Sequence, residues 1–299
     1  MNPSVRRFVS NDFTVRASCV DATSVVLHMQ NLQSMQPIPT IAVGRSMVGA
    51  LLMASHLKDG QEVGILVKGN GPIMTVFAQA NYNGGVRGYT SAPQYEPFEY
   101  EQNNLSIKEA IGNGFITVAR HQPFQAQPYQ GTVELVSGEI GDDLAYYLQQ
   151  SQQIRSILSL GVYLDAFGKV RAAGGILIEV MPGVEDEIVK KLEDNFSKNK
   201  KDLSQVIKEG LTPEDLLKKY MEGLNYTDIP HQFPISYSCP CDKARVLNAV
   251  SILGVDELDD MISKNEKAKV QCQMCGQPYE IEIQELTEIR NKLFKNSLH

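Results

Sequence analysis

A chain of 299 residues is long enough for two or three domains with a well-buried core, and its 42% hydrophobic and 21% charged residues are those of a globular protein. The net charge of −7 argues against general binding to nucleic acid or to anionic membranes. The longest apolar stretch, 41–57, is short and is interrupted by Arg45, Ser46 and His56, and the N-terminal residues lack an apolar signal core, so the expectation is a soluble, cytoplasmic protein.

Residues 1–180 are rich in strand signals and poor in charge runs. Strands are expected at 12–20, 115–120, 131–136, 157–164 and 170–180, the last two forming a hairpin around "DAFGK". Residues 61–91 read as a three-stranded meander whose turns are "GNGP" and "NYNGG". Helices are expected near 22–33, 41–57 and 139–151. Runs of strands with a few inserted helices predict an α+β domain with a mixed sheet rather than a βαβ alternation.

Composition changes abruptly in residues 181–230. From Glu185 to Lys219, 17 of 35 residues are charged, nine acidic and eight Lys, which leaves little apolar surface for a core. Ile188, Leu192 and Phe196 lie four apart and form a thin apolar stripe on one helix. "LTPEDLLKKY" starts a second helix with Thr212 as cap, Pro213 at its first position and acids in its first turn. Such helices need a larger domain to dock on. This segment is expected to be a helical linker, either simply solvated or regulatory.

The third stretch, 231–299, holds four of the five cysteines: Cys239 and Cys241 in "SCPCD", Cys272 and Cys275 in "CQMCG". So small a unit usually needs a metal or disulfides as a staple. One helix face is expected from Val246, Leu247, Val250 and Leu253, and another from Leu286, Ile289 and Leu293, with the second cysteine pair at the turn of a hairpin between them. In a reducing compartment, clustered thiols point to metal or redox chemistry rather than to permanent disulfides. Four thiolates suit tetrahedral zinc, and Gly276 after "CQMC" permits the tight turn. The spacing alone leaves open a static zinc fold or a redox switch.

Other candidates carry less. "KGNGP" fails as a phosphate loop because Pro72 and then a strand follow it. Asp142 and Asp143 are explained by the dipole of the helix they open. The five histidines are scattered, with His231 a remote metal candidate through its nearness to Cys239, and Cys19 reads as a small buried hydrophobe in a strand. No nucleophile elbow or Ser/His/Asp order is found, so no enzyme is expected. A nucleic-acid-binding zinc ribbon is disfavoured, because residues 231–299 carry eight Lys and Arg against ten Asp and Glu. A thiol–disulfide oxidoreductase is disfavoured because a strand-like "QPYEIEI", not a helix, follows "CQMC".

The C-x-C and C-x-x-C pairs, thirty residues apart, together with "AVGRSMVGALLMASHLK", "VKGNGPI", "VELVSGEIGDDLAYYL", "AAGGILIEVMPG" and "KEGLTPEDLL" in this order, resemble the heat shock protein 33 family over nearly the whole chain. The resemblance implies a substrate-binding α+β domain, a helical linker packed on it and a small C-terminal zinc domain. It implies a chaperone that holds unfolding proteins without ATP under oxidative stress, inactive when reduced and zinc-bound. By position Cys239, Cys241, Cys272 and Cys275 take the ligand roles for one Zn2+ per chain, and oxidation would pair Cys239 with Cys241 and Cys272 with Cys275. Unfolded client proteins are the implied partners, with a homodimer favoured by oxidation. Ile188, Leu192 and Phe196 are then expected to help cover the client-binding surface.

Overall fold

The chain begins with a hairpin, β1 (Ser4–Ser10) and β2 (Val15–Asp21), of which only the second strand was expected. The computed structural model describes residues 4–97, 106–125, 127–199, 203–229 and 233–296; His231 and His299 therefore lie outside the described residues. Helices α1 (Thr23–Gln33) and α2 (Pro37–Ala54) follow. Helix α2 starts four residues earlier than its apolar run, because Pro37 at the first position is preset for helix and needs no partner for its nitrogen. Only Pro37 and Arg45 of α2 escape burial. That explains a helix apolar all round: it is a core helix rather than an amphipathic one.

The expected meander is β3 (Glu62–Gly69), β4 (Thr75–Asn81) and β5 (Gly85–Thr90). A short helix, α3 (Lys108–Ile111), leads to β6 (Gly114–His121) and β7 (Tyr129–Glu134). Helix α4 (Gly141–Gln152) precedes the hairpin of β8 (Arg155–Leu164) and β9 (Val170–Val180). Asp142 is exposed in the first turn of α4, where the dipole account suffices. Asp143 is different: it is fully buried, and its carboxylate accepts the backbone N–H groups of Val136 and Ser137 at 2.8 Å and of Ile140 at 3.0 Å. It organises the loop before the helix by satisfying donors that burial would otherwise strand.

Three helices then cross the charged stretch: α5 (Asp186–Asn199), α6 (Leu203–Lys208), which was not expected, and α7 (Pro213–Tyr220). Short strands β10 (Tyr226–Asp228), β11 (Phe233–Pro234) and β12 (Ser236–Tyr237) follow. One sheet runs β10-β1-β2-β9-β8, with β11 also on β1. The other runs β12-β5-β4-β3-β6-β7, and its β12–β5 pair is parallel. Helix α2 packs against strands of both sheets. Glycines permit the approach: a Cβ on Gly175 would lie 2.5 Å from Val48, and one on Gly88 2.8 Å from Val43.

Strand β9 is buried on both faces, which its near-continuous apolar run anticipates. Leu177 faces the main core with α2, whereas Ile176, Ile178 and Val180 face a second core with Val15, Ala17 and Cys19 of β2. That second core is closed by Leu192, Leu203, Val206, Leu216, Leu217 and Tyr220 of α5, α6 and α7.

The chain forms two compact units, Met1–Ser238 and Cys239–His299. The charged stretch shares a core with the first sheet and belongs to the first unit. The boundary falls at 238/239 rather than near 231, because β11 pairs with β1 and β12 with β5. The second unit comprises α8 (Lys243–Val250), α9 (Val255–Ser263), the hairpin β13 (Ala268–Gln271) and β14 (Pro278–Ile281), and α10 (Ile283–Asn296). Among the described residues its buried apolar side chains are six: Val246, Val250, Leu258, Ala268, Ile281 and Leu286. Leu253, expected on the α8 face, is 52% exposed. The helix tightens into a 3-10 turn over Ser251–Leu253, which rotates that side chain off the stripe.

Candidate metal centre

Cys239 and Cys241 lie just before α8, whose cap Asp242 accepts the N–H of Arg245 at 2.8 Å and fixes where the helix starts. Cys272 and Cys275 occupy the turn between β13 and β14, as the sequence predicts. Cys272 N–H donates to Gln277 O at 3.0 Å and Gly276 N–H to Cys272 O at 2.8 Å, closing the turn. Gly276 adopts φ 68°, a conformation that glycine takes without steric cost. The register Gln271↔Pro278 then holds both sulfurs at one end of the hairpin.

The four sulfurs all lie within 4.8 Å of one another, and among the described residues they form the group of His, Cys, Asp and Glu side chains able to hold an ion. The short approaches join the two clusters: Cys239 Sγ to Cys272 Sγ at 3.7 Å and Cys241 Sγ to Cys275 Sγ at 3.1 Å. A tetrahedral site with metal–sulfur bonds of roughly 2.3 Å has sulfur–sulfur edges of about 3.8 Å, so this donor set fits a thiophilic cation. Burial, followed by the neighbouring sulfur of Cys241, pushes the Cys275 thiol well above its ordinary range. Sulfurs this close resist ionising together, and a dication reverses that preference.

Tyr279, in β14, donates its hydroxyl to Cys241 Sγ at 3.2 Å. That hydrogen bond raises the tyrosine pKa to about 12. Sequence reading missed this residue. Its only local signal is its place four residues after Cys275 on an alternating strand. The ion pairs Lys243–Glu285, Lys264–Asp260, Lys267–Glu282 and Arg290–Asp259 lie at the unit's surface and contribute little to its stability. Cys19 belongs to the other unit, 3% exposed in the second core there, where burial raises its pKa to about 12.

In the charged stretch, Leu192 is 2% exposed, and Ile188 and Phe196 are partly buried against the second core. Phe196 meets Tyr220 edge-on at 5.2 Å between ring centres. Sequence reading missed Asn195, a buried amide that donates to Tyr220 O at 3.1 Å and Glu222 O at 2.9 Å and so ties α5 to the end of α7. It also missed the larger contribution of Leu203, Val206, Leu216 and Leu217, although the three-residue step from Leu203 to Val206 and the four-residue step from Leu216 to Tyr220 each signal a helix face.

Comparison with known proteins agrees over nearly the whole chain. The family described as "Hsp33 protein" matches residues 4–282. A "33 kDa chaperonin" of Synechococcus elongatus is 38% identical, the match covering 93% of this chain and 94% of that one. A "33 kDa chaperonin" of Desulforamulus reducens is 33% identical, over 96% and 97% of the two chains. The crystal structure of a "33 kDa chaperonin (Heat shock protein 33 homolog)" from Thermotoga maritima matches with a TM-score of 0.86 at 31% identity, covering 99% of this chain and 100% of that one.

Proposed function

The chain belongs to the Hsp33 protein family, and from that premise we propose that it is a redox-regulated, ATP-independent chaperone that binds unfolding proteins in the cytoplasm and prevents their aggregation. The observation that carries this reading is the convergence of four cysteine sulfurs in a unit whose described residues include six buried apolar side chains. Cys239, Cys241, Cys272 and Cys275 would hold one Zn2+ per chain as thiolates. Zinc bound there would supply on the order of 10–16 kcal/mol of apparent binding energy, which for so small a core is folding energy.

Oxidation supplies the switch. Two thiolates give up two electrons to hydrogen peroxide, whose O–O bond breaks to leave two hydroxide ions, and join as a disulfide. Disulfide sulfurs no longer act as thiolate donors, so the unit loses its staple and opens. The helices α5–α7, docked through an apolar face on a stretch that is otherwise charged, then undock. The apolar face of β2 and β9 beneath them becomes the surface for unfolded clients. Ile188, Leu192 and Phe196 act as part of that cover, and the oxidised form is a homodimer. Binding, not bond-making, is the activity.

The family resemblance implies the local bridges Cys239–Cys241 and Cys272–Cys275, yet a sulfur approach of 3.1 Å joins Cys241 to Cys275 across the two clusters. Peptide mapping after peroxide treatment decides between them: the local pairs are expected, and a dominant 241–275 bridge refutes them. The function itself is tested by light scattering of a thermally unfolding client without ATP. The oxidised protein is expected to suppress aggregation and the reduced, zinc-loaded protein to do so poorly. Equal suppression by both forms removes the redox control.

A further inference from the structure

On the reading of the four cysteines as metal-bound thiolates, we infer that Tyr279 is a positioning residue that restrains the reactivity of one sulfur, Cys241. The pairing Val270↔Tyr279 fixes Tyr279 in the hairpin that carries Cys272 and Cys275. Its ring packs partly buried against the core of the second unit. From there the hydroxyl reaches across to the other cysteine cluster and donates to Cys241 Sγ at 3.2 Å.

A thiolate bound to a dication is still electron-rich, and its remaining lone pairs are what an electrophile meets. A hydroxyl donor draws density from those lone pairs and occupies the side from which attack would come. The effect is local to the sulfur that accepts the bond, so the four ligands are chemically unequal although all are cysteines. Tyr279 thus sets how readily Cys241 reacts without being a ligand itself, and it ties the "CPC" segment to the hairpin through a contact that does not depend on the metal.

The test uses the full chain loaded with Co2+ under reducing conditions, with Tyr279→Phe compared to wild type. Loss of the donor raises the energy of the sulfur electrons, so the sulfur-to-cobalt charge-transfer absorption is expected to move to longer wavelength. Iodoacetamide, from which sulfur displaces iodide to form one S–C bond, is then followed site by site by mass spectrometry. Alkylation of Cys241 is expected to accelerate about fivefold in the variant, the scale of one ordinary hydrogen bond, while the other three sulfurs keep their wild-type rates. Replacing Tyr279 with 4-aminophenylalanine, a weaker donor of the same shape, is expected to restore part of both effects. It carries the comparison if the phenylalanine variant does not fold. Equal acceleration at all four cysteines, or an unchanged absorption with unchanged rates, overturns the inference. A wild-type chain whose cobalt spectrum lacks four-thiolate coordination overturns the metal reading first and this inference with it.

Discussion

His56 is the residue whose surroundings have the clearest consequence for pH. It lies just past the end of α2, 10% exposed at its side chain, with Nε2 3.5 Å from Glu179 Oε2. At that separation the imidazole makes no hydrogen bond, and Nε2 is buried without a partner. Arg16 already donates to the same Glu179 oxygen at 2.6 Å. Arg7, which donates to Ser55 O at 3.0 Å, and Arg120 add further positive charge. Burial is the largest effect. Together with the three arginines it outweighs the pull of Glu179 and lowers the His56 pKa from 6.5 to about 4. The unfolded chain therefore takes up the proton first. The stability contributed by neutral His56 is complete above about pH 6.5 and is lost as pH falls toward 4, by up to about 1.4 kcal/mol per pH unit. Urea melts between pH 7.5 and 4.5 are expected to show a shallower loss of stability in His56→Gln than in wild type. Parallel slopes would mean that His56 is not neutral in the fold.

Among the elements, α5–α7 carry the regulatory weight of the proposed function. Their seat on β2 and β9 is one layer of side chains, and Asn195 ties α5 to the end of α7. Leu192→Ser together with Phe196→Ser is expected to cost roughly 2–5 kcal/mol for the buried leucine and less for the partly buried phenylalanine. The reduced, zinc-loaded variant should then suppress client aggregation. Asn195→Ala should act in the same direction, since it leaves the carbonyls of Tyr220 and Glu222 without their donor. Cys19 supplies an internal reporter: its thiol lies in the covered face and is held near 12 by burial. Maleimide labelling of Cys19 should be negligible in the reduced wild type and should rise in both variants as the thiol regains an ordinary pKa. A variant that gains activity while Cys19 stays unlabelled would place the client surface elsewhere. The cap of α7 contributes less. Thr212 accepts from Asp215 N–H at 3.2 Å while the Asp215 carboxylate accepts from Thr212 N–H at 2.9 Å, and Thr212→Ala should cost about 1 kcal/mol.

At the scale of the molecule, the two units are stabilised by different means. The first has two extended apolar cores around its sheets, whereas the second has, among the described residues, six buried apolar side chains and a cysteine cluster. Metal removal by a chelator under reducing conditions should therefore abolish amide protection over 243–296 and preserve it in the strands of the first sheet and in α2. Hydrogen exchange read by mass spectrometry checks this. Simultaneous loss of protection in both units, or none in either, would contradict a metal-stapled second unit. Replacing Cys272 by Ser should reproduce the chelated pattern without a chelator.

Local periodicity and turn chemistry sufficed for most strands and helices, because alternation, four-residue spacing, Pro37 and Gly276 act through near neighbours in the chain. The four cysteines were legible for a related reason: two short spacings fix each pair, and thiol chemistry makes their convergence recognisable. Packing decided what lies between distant residues. Asp143 proved to be a buried acceptor for its loop rather than a dipole partner. Tyr279 reaches a sulfur 38 positions away, and Asn195 joins two helices. The charged stretch shares a core with β2 and β9, and its helices could not show this beforehand because each presents only part of the apolar face that the sheet completes. The unit boundary moved to Ser238 because β11 and β12 find their partners in strands more than a hundred residues earlier, a pairing that no local pattern carries.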